Sequence, residues 1–288
     1  MPAIRVVVPT YQREASLELC LEALRNQSFQ DFDVRVVDDG GTDDSKRVAL
    51  QSGLPAAYMR QEHAGFGAPR ARNVGAKNCQ SPLLVFVDSD IMLVPKALEV
   101  AWELYTENSM RAIGGYYKYL KGMLIKKSDV SLRWDDIWNA KLPALEINQG
   151  AVPIGKDVRE YMNDHKRALG QDVVDVFDFE HEVCWSPFAF LSGVIAIPTE
   201  AFLETGGFAE FDTYGGEDAE MSLALITRGW PISYSRRFAG AHLAHPKNEG
   251  ATGPNERARI REIAARYPDY LSPDGTPLEP WGKPVARK

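Results

Sequence analysis

Four short apolar runs, each closed by polar residues, recur in the N-terminal third of the chain: Ile4–Val8, Val34–Val37, Ala57–Met59 and Leu83–Val87. Stretches of helical character separate them. Glu14 to Asn26 places Ala15, Leu17, Leu21 and Leu24 near helical spacing. Asp43 to Leu50 resumes as a helix after the Gly40-Gly41 turn, and Gly67 to Ala76 reads as a loop feeding a helix. Pro95 to Thr106 supplies another, with Leu98, Trp102 and Tyr105 on one side. Strands and helices alternating at this spacing predict an α/β fold, Rossmann-like, with a mostly parallel sheet and helices on both faces. Such sheets bind ligands in the crevice outside the carboxyl ends of their strands.

Chemistry-bearing residues collect at those strand ends. The first run leads to Thr10 and Arg13, the second to Asp38 and Asp39, and the last to Asp88-Ser89-Asp90. Two carboxylates one residue apart at the end of a buried strand repel each other and are costly to bury unless a cation joins them. A divalent metal carrying a phosphate satisfies that condition. Each group also has a plain structural use: a solvated strand end for Asp88 and Asp90, a turn for Asp38-Asp39-Gly40, and a helix cap for Thr10. Their common position at one sheet edge favours one shared ligand. Gly65 to Gly75 is no dinucleotide fingerprint, because its glycines miss the Gly-x-Gly-x-x-Gly spacing and no strand immediately precedes it. Arg70 and Arg72 near that helix start can pair with a diphosphate, or stand as exposed helix arginines.

Bulk properties narrow the function class. A net charge of −7 argues against a sequence-general nucleic-acid binder, which would show a basic stripe. Three widely spaced cysteines, Cys20, Cys79 and Cys184, fit reduced thiols in a cytoplasmic compartment better than a disulfide framework. Ile4 to Val8 already reads as a strand, so no basic-then-apolar leader is expected. No apolar run approaches the ~20 residues that span a bilayer. The expectation is a soluble cytoplasmic protein, with peripheral membrane contact left open.

The middle is less readable. Arg111 to Tyr119 suits a strand weakened by Gly114-Gly115. Ser131 to Lys141 has helical periodicity and carries Trp134 and Trp138 one turn apart, as a sugar-stacking platform or as ordinary packing. Gly155 to Gly170 is a charged excursion, Asp172 to Glu182 is acidic, and His165 and His181 are read as non-ligands. Further on, Phe190 to Ile197 is an apolar run broken at Ser192-Gly193, and Pro198-Thr199-Glu200 begins a helix that stops at Gly206-Gly207. Tyr214-Gly215-Gly216-Glu217-Asp218-Ala219-Glu220 opens another, with Met221, Leu225 and Ile226 as its apolar side. The helix start should favour the ionised forms of Glu217 and Asp218. They are either ordinary first-turn acids or a carboxylate pair able to take a proton from an acceptor hydroxyl. His242-Leu243-Ala244-His245 follows a strand expected over Phe238 to Ala241, and two imidazoles three apart can share an ion. No His-Glu-x-x-His helix or cysteine pair supports a zinc hydrolase. Asn255 to Tyr267 reads as a basic amphipathic helix, followed by a proline-rich tail.

Val8-Pro9-Thr10-Tyr11-Gln12-Arg13, Val37-Asp38-Asp39-Gly40-Gly41-Thr42-Asp43, Ala71-Arg72-Asn73-Val74-Gly75 and Val87-Asp88-Ser89-Asp90 stand in the order seen in family 2 glycosyltransferases, which this chain resembles. These are GT-A fold enzymes that use nucleotide-diphosphate sugars. The resemblance implies that Pro9, Thr10, Tyr11, Arg13 and Asp39 contact base and ribose, with Arg70, Arg72 and Asn73 on the same nucleotide-sugar side. It places Asp88 and Ser89 at the ribose and sugar, and Asp90 on Mn2+ or Mg2+. Gly41 departs from the serine commonest in the family's Asp-Gly-Ser turn. Gly206-Gly207-Phe208 followed by Gly215-Gly216-Glu217-Asp218-Ala219-Glu220 resembles the C-terminal galactosyltransferase-type segment of β-1,4-galactosyltransferases and chondroitin-polymerase-like enzymes. That likeness implies Asp218 as catalytic base, Glu217 at a sugar, His245 as second metal ligand and His242 at a third position usually held by methionine. Retaining relatives carry Asn where Asp218 stands, so the aspartate favours inversion.

The resulting expectation is one GT-A catalytic domain over 1–250, with 1–115 holding the nucleotide sugar and 116–250 the acceptor and catalytic groups. Residues 251–288 form a C-terminal helix and tail. The function expected is metal-dependent, inverting transfer from a nucleotide-diphosphate sugar, by resemblance a UDP-sugar, to a hydroxyl of a glycan, glycolipid or other glycoconjugate, as in polysaccharide biosynthesis. Galactose, N-acetylgalactosamine, glucose and glucuronic acid all remain open as the sugar. Rival readings are retaining transfer on the same fold and a nucleotide-sugar-binding protein with decayed catalysis. A nucleotidyltransferase would need a glycine- and lysine-rich phosphate loop that Pro9–Arg13 does not supply.

Overall fold

Aliphatic and β-branched runs free of charge build the centre of the sheet, because strands covered on both faces need no polar side. The computed structural model describes residues 1–120, 130, 177–178, 183–184, 192–211, 214–243 and 254–273. Its strands are β1 (Ile4–Thr10), β2 (Phe32–Asp38), β3 (Ala56–Arg60), β4 (Leu83–Val87), β5 (Ile91–Leu93), β6 (Ala112–Leu120), β7 (Phe177–Asp178), β8 (Val183–Cys184), β9 (Val194–Pro198) and β10 (Ile232–Leu243). The helices are α1 (Glu14–Arg25), α2 (Ser45–Leu50), α3 (Ala68–Ala76), α4 (Ala97–Glu107), α5 (Thr199–Thr205), α6 (Glu217–Thr227) and α7 (Pro254–Arg266).

Among the described residues the strands form one sheet, in the order β3-β2-β1-β4-β9-β6-β10-β8-β7, with β5 paired to β10. β3, β2, β1 and β4 run parallel, as the alternation requires, so Asp38, Thr10 and Val87 all finish at one edge. β9 runs antiparallel to β4, with Val87 opposite Val194, which returns Ser192 and Gly193 to that same edge. β10 lies parallel to β6 across a register shift between Tyr234 and Ala239, and antiparallel to β5.

Two cores follow from the alternation of side chains across the sheet. Ile4, Val6, Val8, Leu83, Val85 and Val87 face α1, α2 and α4, where they meet Leu17, Leu21, Val48 and Leu98. Val7, Leu84, Phe86, Ile195 and Ile197 face α3, α5 and α6, where they meet Ala76, Phe202, Met221 and Leu225. The strand β5 is an addition to the sequence reading, and β10 begins well before the expected Phe238 and includes His242. The stretch Ser131–Lys141 with Trp134 and Trp138, the 155–170 excursion, His165 and His181 lie outside the described residues. No helix among the described residues is long and apolar enough to cross a membrane.

Helix α3 approaches the sheet closely through Gly75, where a Cβ would stand 2.4 Å from Val7 Cγ1 and 3.2 Å from Val37 Cγ2. Both neighbours are stiff, buried β-branched side chains. Gly75→Val should therefore lower stability by about 1–3 kcal/mol through overpacking. Urea unfolding should show a lower midpoint at unchanged slope, and an unchanged midpoint would contradict the close approach.

Candidate active site

The edge where β1, β2 and β3 end carries a polar network centred on Asp39. Its backbone N–H donates to the Thr10 carbonyl (2.9 Å), which fixes the exit from β2 against the exit from β1. Its carboxylate accepts from Gln61 Nε2 (2.6 Å) and lies 2.8 Å from His63 Nδ1 and 3.4 Å from Arg70 Nη2. Arg70 also donates to the Glu62 carbonyl. A Cβ on Gly67 would stand 2.0 Å from Asp39 Oδ1, so the glycine at the start of α3 is what lets the carboxylate sit there. Tyr11 stacks on the His63 imidazole, ring centroids 4.3 Å apart and planes 3° from parallel. Asp38 points the other way and accepts from the Gly41 N–H (2.7 Å) and the Tyr58 hydroxyl (2.6 Å), a structural tie between β2 and β3. Pro9 is buried within β1, and Arg13 is half-buried immediately before α1. His63 and Gln61 were not anticipated, although they follow a strand whose carboxyl end shares this edge.

Asp90 and His242 are brought together by β5. The strand begins one residue after Asp90, and its register sets Ile91 opposite His242. The Leu243 N–H donates to the Asp90 carbonyl (2.8 Å), and His242 Nε2 lies 3.6 Å from Asp90 Oδ1. A carbonyl can only accept, so the 3.0 Å contact of His242 Nδ1 with the Leu243 oxygen puts the ring proton on Nδ1. In the neutral ring, Nε2 then faces the carboxylate with its lone pair. A carboxylate oxygen and an imidazole nitrogen so placed are a donor set suited to Mn2+ or a similar divalent ion. Among the described residues no three His, Cys, Asp or Glu side chains form a metal-holding group, and His245, the expected second ligand, lies outside them.

Between these two regions sits Arg72, only 3% exposed. The sequence offered it as a diphosphate ligand or an exposed helix residue; the structure turns it inward. Its Nη2 donates to Asp88 Oδ1 (2.8 Å), its Nη1 lies 3.5 Å from Glu217 Oε1, and its guanidinium rests 5.3 Å from the Phe208 ring centroid. Burial works against the charge, but Asp88, Glu217 and Asp218 together outweigh it and raise the pKa of Arg72. Asp88 is held from behind by its N–H to the Gly193 carbonyl (3.1 Å) and keeps a third of its side chain exposed. Ser89, between the two aspartates, is buried. Asn73 serves the turn after α5: its Oδ1 accepts from the Phe208 N–H (2.8 Å), and its Nδ2 donates to the Phe208 carbonyl and to Glu210 Oε1 (both 2.9 Å).

Glu217 and Asp218 open α6 behind Gly216, whose φ of +92° suits glycine and whose Cβ would collide with Arg259 Cγ of α7 at 2.7 Å. Asp218 Oδ1 accepts from the Ser192 N–H (3.1 Å). The preference of the helix start for the ionised forms of both carboxyls is opposed here by burial. Burial, then the Asp218 charge, push Glu217 up to about 7 against the pull of Arg72. Burial likewise raises Asp218, against Arg72 and the Ser192 N–H. Cys20 is buried with Sγ 3.8 Å from the Asp88 carbonyl, and burial raises its thiol, so it stays an unreactive S–H.

Glu217 binds its proton more tightly in the folded chain than in the unfolded one. That stabilising contribution is complete below the ordinary carboxylate range and is lost as pH rises through about 7. Glu217→Gln holds the neutral form throughout. It should melt above the wild type at about pH 8 and converge with it at about pH 5. An offset independent of pH would show that Glu217 is not buried as a titrating acid.

Residues 5–149, half of the chain, match the model of the family described as glycosyl transferase family 2. Validoxylamine A glucosyltransferase of Streptomyces hygroscopicus subsp. limoneus is 27% identical over 280 residues, covering 94% of this chain and 58% of the relative. Chondroitin synthase of Escherichia coli is 26% identical over 270 residues, covering 91% of this chain and 37% of the relative. Among solved structures, residues 1–349 of S. aureus TarS in complex with UDP-GlcNAc superpose with a TM-score of 0.63 at 17% identity, over 91% of this chain and 65% of that one. The fold is thus that of the GT-A glycosyltransferases, while the chain spans less than two thirds of each of these proteins. With its parallel strands and their acidic ends inside the matched region, the chain belongs to glycosyl transferase family 2.

Proposed function

We propose that the chain is a metal-dependent, inverting glycosyltransferase that moves a sugar from a nucleotide-diphosphate sugar to a hydroxyl acceptor. The observation that carries this reading is the gathering of three groups at one sheet edge. The Asp39 network lies at one end, the Asp90–His242 pair at another, and buried Glu217 and half-buried Asp218 beside partly exposed Asp88. Asp39, with the Pro9–Arg13 loop, receives base and ribose, and Asp88 the ribose and sugar. Residues 1–115 serve the donor and 116–250 the acceptor and the chemistry. The UDP-GlcNAc held by the superposed TarS structure supports a uridine diphosphate carrier. The acceptor is a hydroxyl of a glycan or other glycoconjugate.

The reaction is one displacement. Asp218 takes the proton of the acceptor hydroxyl, whose oxygen attacks the anomeric carbon from the face opposite the diphosphate. The bond to the acceptor forms as the bond to the diphosphate oxygen breaks, which inverts the anomeric centre. Glu217 contacts a sugar and is not the base. Asp90 and His242, with His245 beyond the described residues, are the groups to hold Mn2+ or Mg2+, which when bound supplies positive charge beside the departing diphosphate.

Asp218→Asn should lower kcat by about 100-fold or more while donor KM changes little, since the loss falls on the transition state. Near-normal turnover would remove Asp218 as the base. Donor hydrolysis, assayed over a panel of nucleotide sugars without acceptor, should stop with a chelator and return with Mn2+. His242→Ala should need about tenfold more Mn2+ for half-maximal rate. NMR of the product should show the inverted anomer, and retention would replace the single displacement.

A further inference from the structure

The proposed function leaves Arg72 without a task, yet it is the cation at the centre of the site. Its guanidinium spans two carboxylates from different halves of the chain: Asp88 at the end of β4 and Glu217 at the start of α6. Nε and Nη1 are buried with no hydrogen-bond partner among the described residues, so the group is not held there by a saturated hydrogen-bond network. What remains is one hydrogen bond, from Nη2 to Asp88, and its charge. We propose that Arg72 is a positioning residue, tying donor-side Asp88 to the Glu217–Asp218 pair and keeping Asp218 able to accept a proton near neutral pH. This rests on the proposed role of Asp218.

The electrostatics follow from the neighbours. Asp88, Glu217 and Asp218 put three carboxylates around one guanidinium. From the turn before β9, Asp218 receives the Ser192 N–H, a dipole and not a charge. On α6 itself, Glu220 turns away towards α7, where it accepts from the Tyr267 hydroxyl (2.8 Å) and faces Arg266 (3.9 Å). Arg259 of α7 meets the Gly216 turn with its aliphatic stem, while its guanidinium pairs with Glu262 (2.6 Å) and lies 3.7 Å from the Phe211 centroid. Among the described residues Arg72 is therefore the cation in ion-pair reach of Glu217, and with the Ser192 N–H on Asp218 it opposes burial there. Buried Glu217 and half-buried Asp218 beside one cation retain a proton between them up to about neutral pH. Without the cation they retain it to higher pH, and a base that keeps its proton cannot take another.

Three variants separate this from a packing role. In Arg72→Met, the acid limb of kcat against pH should move up by about 1–3 pH units, the range expected when one close opposite charge is removed. Activity lost at neutral pH should partly return in alkali. Arg72→Gln keeps a donor for Asp88 but no charge, and carries the same expectation should the methionine variant not fold. Arg72→Lys keeps the charge without the fork. It should leave the limb near its wild-type position while donor KM rises several-fold, because Asp88 is less firmly held. An even fall in kcat with an unmoved limb in the neutral variants would overturn the inference. Infrared difference spectra of the carboxyl band assigned by Glu217→Gln give a readout that needs no turnover. That band should titrate at higher pH in the neutral variants than in wild type, and an unmoved band also overturns the inference. A wild type that turns over no nucleotide sugar would fail the proposed function, and the band would still decide the role of Arg72.

Discussion

The link between Asp88 and Asp218 depends on the antiparallel pairing of β9 with β4. A purely parallel sheet would deliver only the carboxyl ends of its own strands to the ligand edge, here Thr10, Asp38–Asp39 and Asp88. Because β9 enters from that edge, its first turn arrives there with free backbone polar groups. The Gly193 carbonyl accepts from the Asp88 N–H, and the Ser192 N–H donates to the Asp218 carboxylate. One turn of backbone thus holds Asp88 and the proposed base. The strand that does this has no side-chain chemistry of its own, since all five of its residues are buried.

The site is costly to maintain. Taking an ion out of water costs on the order of several kcal/mol even after relaxation, and a buried pair recovers that only with good geometry. Arg72 and Asp88 have such geometry, a 2.8 Å hydrogen bond with the carboxylate partly in solvent. Arg72 and Glu217, at 3.5 Å and without a hydrogen bond, do not. The second contact is Coulombic alone, which is why Glu217 rises despite a cation beside it. An acid so placed is poor for stability. Its place at the ligand edge of the sheet is easier to account for by what it does to a ligand than by what it does for the fold.

How much could be read beforehand follows from where the information lies. β4 was legible to the residue because Leu83–Val87 is an unbroken apolar run with acids after it, and the structure buries it completely. The acidic strand ends were legible through their repetition, and α6 through the glycine pair before Glu217. The inward turn of Arg72 was not, because an arginine one turn into a helix can equally be an exposed one. Only the fold of α3 against β1 at Gly75 points it inward. His63 was missed because its partners, Tyr11 and Asp39, come from two other loops. β5 is three residues long, too short for any periodicity, yet it places His242 against Asp90. Local signals carry elements; contacts between elements set the site.

The same distinction bears on the C-terminal helix, which the sequence set apart from the catalytic unit. A turn with φ of +96° at Gly215 and +92° at Gly216 has nothing intrinsic to hold it in one shape. Here α7 supplies the restraint. Arg259 lies against Gly216, Ile263 and Leu271 pack with Phe211 and Leu223, and the Tyr267 hydroxyl binds Glu220 one turn into α6. Glu217 and Asp218 stand between that clamp and Arg72, so the start of α6 is held from the C-terminal helix on one side and from α3 on the other. A carboxylate must be held within a fraction of an ångström to take a proton in step with bond formation. The glycines that let the chain turn there would forfeit that precision without α7, which makes the helix part of what holds the proposed base.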